Sequence, residues 1–163
     1  MSAEIERSAS EMQNLYEADF YAWTQEQVRL LQQHAWTQLD VANLIEEIES
    51  LGRQQRQELV NRLGVLLGHL LKWEFQAEAR SKSWFATIRE QRREILELLQ
   101  ENPSLKPYLP EAIKKDYLAG IDLVVRETPL RYRDLPSDCP YSSEQILAET
   151  FFPGASSDLS EWQ

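Results

Sequence analysis

The sequence predicts an all-α fold, a single-domain bundle of about five main helices with a short helix at its C-terminal end. Three observations carry this. Only five glycines occur among 163 residues, so few positions favour bends and open turns. Long runs are built from Leu, Glu, Gln and Arg, all strong helix formers. The apolar residues within those runs gather on one arc at 100° per residue, as a buried helix face requires.

Each element follows from a local signal. In "WTQEQV", Thr24 can cap a helix, Gln27 lies three residues on as a capping-box partner, and Trp23 can staple onto Val28. A helix is expected at about 25 to 34. Leu39, Asp40, Asn43 and Leu44 repeat the arrangement and start a second helix, in which Val41, Leu44, Ile48 and Leu51 mark the face expected to be buried. No proline interrupts the run from Asp40 to Ala79. Unbroken, it would make a rod of roughly 60 Å, against a radius of gyration of about 15 Å for one compact domain of this length. A break is therefore expected near Gly52, giving helices at about 41 to 51 and 54 to 78. On the second of these Leu59, Leu63, Leu66, Leu70 and Trp73 share a narrow arc that Val65, Leu67 and Leu71 widen, which suits the centre of a bundle. Gly64 and Gly68 open a lane for close approach by another helix.

Ser83 is a plausible cap for the next helix, with Trp84, Ile88, Ile95, Leu98 and Leu99 on one face and Asn102 before Pro103 at its end. Pro110 suits a first helical position, so a helix is expected at about 110 to 127 with Ile113, Tyr117, Gly120 and Val124 inward. Tyr141, Ser142, Gln145 and Ile146 repeat the capping pattern for a short helix at about 143 to 150. Residues 1–14 and 154–163 read as unordered polar tails around one domain at 15–153. That length suffices for a single apolar core.

Charge and cysteine usage narrow the function classes. Twenty-seven acids against 17 bases give a net charge of -10, which repels phosphate backbones and makes nucleic acid a disfavoured partner. The basic run "REQRRE" is interrupted by glutamates and reads as a solvated face. Cys139 is the only cysteine, so no intrachain disulfide forms and a reducing cytoplasm is the expected compartment. "MSAEIERSASEM" has no apolar core of a secretory signal, and "LGVLLGHLLKW" falls short of the ~20 apolar residues of a membrane span.

The chemistry candidates are few. Glu46 lies nearly opposite the apolar face of its helix, while Glu47 and Glu49 lie on its two edges. Di-metal bundles need Glu three residues before His, whereas Leu31 precedes His34 and Leu66 precedes His69. His-Glu-x-x-His, phosphate-binding glycine loops and paired Cys-x-x-Cys are absent too. No metal site and no cofactor is expected. His69 shares a polar lane with Glu58, Arg62 and Gln76 beside Trp73, and Gln91 falls in the middle of an apolar face. These polar groups suit an interhelical hydrogen-bond network or the floor of a pocket. Arg62 and His69 also match the spacing of HEPN-type ribonucleases, in which an arginine and a histidine act at a scissile phosphate. Cys139, in "SDCPY", has no histidine nearby in sequence.

Taken in order, "LYEADFYAWTQEQ", "LDVANLIEEIESLGRQQRQEL", "RLGVLLGHLLKWEFQ", "RSKSWFATIREQRREI", "NPSL" and "CPYSSEQIL" ahead of "FFP" resemble the bacterial domain of unknown function 29 family. The resemblance covers about residues 15 to 153. It implies an all-helical bacterial domain without an established activity, so it transfers no catalytic residue. It departs from the family pattern at "FQAEARSKSW", with alanine where a proline is expected. It directs attention to "LIEEIESLG", "HLLKW" and "RSKSW", and with the polar Gln91 of the helical reading the binding candidates are Glu47, Glu49, Arg80 and Gln91, beside His69 and Arg62 as catalytic candidates.

The expectation is a helical interaction module whose partner is a protein, itself included. The alternative is a metal-assisted hydrolase or HEPN-like nuclease using His69 and Arg62 with Glu47 or Glu49. The enzyme reading requires those groups to converge in a concave pocket. The interaction reading requires an exposed apolar patch or an isologous face.

Overall fold

A computed structural model describes residues 15–154 and 159–162. All regular elements among them are helical, as the sequence predicts. The chain divides into two compact units, Met1–Gln54 and Gln55–Gln163.

In the first unit, residues 15–18 are helical and α1 follows at Phe20–Gln32. Its cap is Asp19, whose carboxylate accepts the Ala22 N–H at 3.0 Å. Thr24, expected to cap, lies inside the helix and donates to the Tyr21 carbonyl at 2.7 Å. Aspartate is the stronger cap and adds one more turn. Gln27 is accordingly no capping partner. It is buried, and its Oε1 accepts the Asp40 N–H at 2.9 Å. Asp40 caps the next helix as expected, accepting from the Asn43 N–H at 3.4 Å and from the Trp23 indole at 3.1 Å. His34 closes α1 with a positive φ of 57°, its amide and that of Ala35 returning to the carbonyls of Leu31 and Leu30.

α2 runs without a break from Val41 to Phe75, so the two helices expected at 41 to 51 and 54 to 78 are one. A Cβ on Gly52 would meet nothing within 4 Å. A solvated mid-helix glycine costs about 1 kcal/mol, which its helix-forming neighbours absorb.

In the second unit the expected lane is fully buried: Leu59, Leu63, Leu66, Leu70 and Trp73. α3 spans Lys82–Glu101 and is capped by Ser81, whose hydroxyl accepts the Trp84 N–H at 3.2 Å. Ser83, expected to cap, lies two residues later, inside the helix. α4 occupies Leu109–Glu127 with Ile113, Tyr117, Gly120 and Val124 buried. α5, Ser143–Leu147, starts with the expected box, in which Ser142 accepts from the Gln145 N–H and Gln145 accepts from the Ser142 N–H. It stops three residues earlier than expected. α2 and α4 meet through glycine: a Cβ on Gly120 would stand 3.0 Å from the Gly68 nitrogen and 3.2 Å from the Gly64 carbonyl oxygen.

Trp73 anchors an aromatic cluster with Phe85, Phe152 and Trp162, the rings of Phe85 and Phe152 stacking at 4.9 Å. Of the C-terminal residues expected to be unordered, Leu159 and Trp162 pack against this core. Residues 1–14, 155–158 and 163 lie outside the described residues.

Candidate functional site

Arg62 is held by neighbouring acids. Its guanidinium bonds Glu58 at 2.9 Å one turn away and reaches Glu94 of α3 at 3.5 Å. His69 turns its Nδ1–H onto the Val65 carbonyl at 2.9 Å, which sets the neutral tautomer. Beside it Lys72, almost wholly buried, donates to Glu127 at 2.7 Å and lies 4.3 Å from the centre of the Trp84 ring. Burial pushes the His69 pKa down. The Val65 bond opposes this, Lys72 adds to it and Glu127 works against it.

A proton-binding difference follows. The unfolded chain takes up a proton at His69 near its ordinary value of 6.5, while the native state does so only at lower pH. Stability from this group is therefore complete above that value and falls as pH drops below it, by at most about 1.4 kcal/mol per pH unit. Glu127, whose pKa the Lys72 bond lowers, keeps its charge through the start of that window. Melting curves between pH 7 and 5.5 should decline more steeply for the native chain than for His69→Gln; parallel declines would refute the assignment.

Arg80 donates to the carbonyls of Trp73 at 2.8 Å and Gly154 at 3.0 Å, and lies over the Trp73 ring. Gln91, expected in the centre of the α3 apolar face, is only half-buried. The buried polar residue of that helix is Arg92. It donates to the carbonyls of Ile146 at 2.8 Å, Glu149 at 3.4 Å and Phe151 at 2.6 Å. Sequence reasoning missed it, although Ile88, Arg92, Ile95 and Leu99 form a regular helical lane. No hydrogen bond or ion pair among the described residues joins Arg62, His69, Arg80 and Gln91 to one another. Nor does any group of three or more His, Cys, Asp or Glu among them stand where it could hold a metal ion.

Cavities open in the second unit, and none of those four residues lines either of two that its described residues form. One, of about 830 Å³, runs along α3 past Phe85, Arg89, Arg93 and Leu96. The other, of about 630 Å³, lies between α4 and Cys139 and Tyr141. Burial pushes the Cys139 thiol up, away from the reactive thiolate form. Tyr141 is committed to Glu74 at 2.5 Å.

The first unit differs in kind. Val41, Ile45, Ile48 and Leu51, at one face of α2, are 53, 53, 65 and 60% exposed. The face expected to be buried is open, and of its residues only Leu44 is half-covered. The helical wheel identified the stripe correctly but carries no information on what packs against it. Phe20, Val28, Leu31 and Trp36 are also exposed in this unit. Glu47 and Glu49 edge the stripe on either side. Glu47 accepts the Tyr16 O–H at 2.5 Å, a bond that pushes the phenol up to about 12. Glu49 pairs with Arg53 at 3.6 Å, both well exposed, and Glu46 has no partner among the described residues.

Residues 15–152 match a family described as Domain of unknown function DUF29. No curated protein and no solved structure matches the chain.

Proposed function

We propose that this chain, which belongs to the Domain of unknown function DUF29 family, is an interaction module that docks a partner protein on the open stripe of α2. The single observation behind this reading is that Val41, Ile45, Ile48 and Leu51 stand at least half exposed on one helix face. Full burial of such a side chain contributes about 1.5–3 kcal/mol, so the uncovered stripe holds binding free energy in reserve. Contiguous apolar surface of this kind marks interaction sites, whereas scattered residues such as Leu96 and Leu118 in the second unit need no partner. No helix among the described residues is long and apolar enough to cross a membrane, and the single Cys139 suits work in a reducing cytoplasm.

The test is quantitative affinity capture with the full chain, Ile48→Asp and the control Leu118→Asp. Both substitutions are at exposed sites and should move stability by no more than about 0.5 kcal/mol. Proteins captured by the native chain and by Leu118→Asp should fall by about tenfold or more with Ile48→Asp, the loss that burying a carboxylate in an apolar contact entails. Identical capture by all three would end the reading.

A further inference from the structure

Resting on that reading, we propose that the partner presents a basic amphipathic helix: apolar residues along one face, with Lys or Arg on both flanks. The stripe itself sets the shape of the occupant. Val41 to Leu51 spans about 15 Å at helical rise, enough for three turns of a helix laid along it, and helix-on-apolar-face docking uses anchors spaced three and four residues apart. The edges set its charge. Glu47 and Glu49 border the stripe on opposite sides, and Glu46 stands beyond them. Across residues 15–54 there are seven acidic side chains against two arginines. Arg29 is taken by Glu26 at 2.5 Å, and Arg53 lies beside Glu49 at 3.6 Å. The surround of the stripe is therefore net anionic, with a carboxylate on each edge, Glu47 also holding the Tyr16 hydroxyl at 2.5 Å.

A second copy of the chain fits less well. Val41, Leu44, Ile48 and Leu51 have heptad spacing, with β-branched residues and leucines alternating as in two-stranded coiled coils. The pattern ends after two heptads, where Gln55 and Glu58 take the next positions, short of the three to four that a seam requires. Pairing would also bring two chains of net charge -10 together, acidic edge against acidic edge. Nucleic acid and anionic lipid meet the same repulsion.

The probes are two fluorescein-labelled synthetic 18-residue helical peptides with identical leucine spacing, one with lysine and one with glutamate on its flanks. Each is titrated into the full chain, into Ile48→Asp, into the charge-reversed pair Glu47→Lys/Glu49→Lys, and into Leu118→Asp. Circular dichroism of each variant checks that the helices persist. The lysine peptide should saturate at one per chain, bind about tenfold more weakly at 0.5 M than at 0.05 M salt, and bind tenfold or more weakly to Ile48→Asp. Leu118→Asp should match the native chain. The charge-reversed pair should lose the lysine peptide and gain the glutamate peptide. Equal binding of both peptides to the native chain would overturn the proposal. So would undiminished binding of the lysine peptide to Ile48→Asp, which would mean general attraction to an acidic protein. Sedimentation equilibrium showing a dimer that Ile48→Asp splits would assign the stripe to a second copy instead. Capture that depends on Ile48 while the lysine peptide stays silent removes only this inference. Capture indifferent to Ile48 removes the interaction reading beneath it.

Discussion

Arg92→Ala is expected to destabilise the protein by about 3–5 kcal/mol, the sum of several charge-assisted hydrogen bonds lost and buried carbonyls left without their donor, and to lower the melting temperature by roughly 10 °C. The residue is 3% exposed, and its guanidinium bonds three carbonyls between Ile146 and Phe151. Burial pushes its pKa down to about 10, with Glu149 opposing the fall, so it stays charged at neutral pH. Truncation leaves a cavity, removes the donor of three carbonyls, and removes the cation that lies 5.2 Å from the Phe152 ring centre. Arg92→Lys should recover only part of the loss, because an ammonium is a point charge that cannot span carbonyls the planar fork reaches together. Denaturant unfolding followed by circular dichroism measures both variants. A loss under about 1 kcal/mol for the alanine variant would mean that the C-terminal segment is held by Phe152 and its neighbours alone.

Gly120→Ala and Gly52→Ala are expected to move stability in opposite directions. Both replace a helical glycine with the best helix former, which by itself adds about 1 kcal/mol. At Gly52 the new methyl meets nothing within 4 Å, so the gain of up to about 1 kcal/mol should appear in full. At Gly120 it would press on backbone of α2, the Gly68 nitrogen at 3.0 Å and the Gly64 oxygen at 3.2 Å. Backbone cannot rotate aside as a side chain can, so the two helices must separate, and overpacking of this kind costs about 1–3 kcal/mol. Equal effects at the two sites, read from the same unfolding curves, would refute the close crossing.

Much of the second unit was legible because its signals are local. Ser142 and Gln145 name a helix start between them, and the Leu59 to Trp73 lane needs only a period. Gly64 and Gly68 announce a close approach without saying that Gly120 answers it. The errors arise where a distant group decides. Gln91 and Arg92 are consecutive and stand about 100° apart on the wheel, on either side of the apolar arc, and the choice of which turns inward is made by the carbonyls of Ile146, Glu149 and Phe151 at and beyond the end of α5. Arg62 and Glu58 are readable as a pair one turn apart, while Glu94 is not. Between Asp19 and Thr24, a capping box favours the later residue, yet the aspartate alone suffices. For the candidate site, the sequence pointed to Glu47 and Glu49 as binding residues beside an apolar face. It misjudged that face as buried because amphipathicity records a need for cover and not its source.

The arginine clamp on α3 also orders events in time. Its acceptors lie 54 to 59 residues further along the chain, and Phe152, the ring stacked on Phe85, comes after them. During synthesis, which proceeds from the N-terminus, α2, α3 and α4 emerge before the segment that completes their core. Until then Arg92 has no carbonyls to bond and Phe85 no ring to stack on. The second unit can therefore close only once the residues through Phe152 have emerged, and a chain halted before Ile146 would leave its own core unsealed.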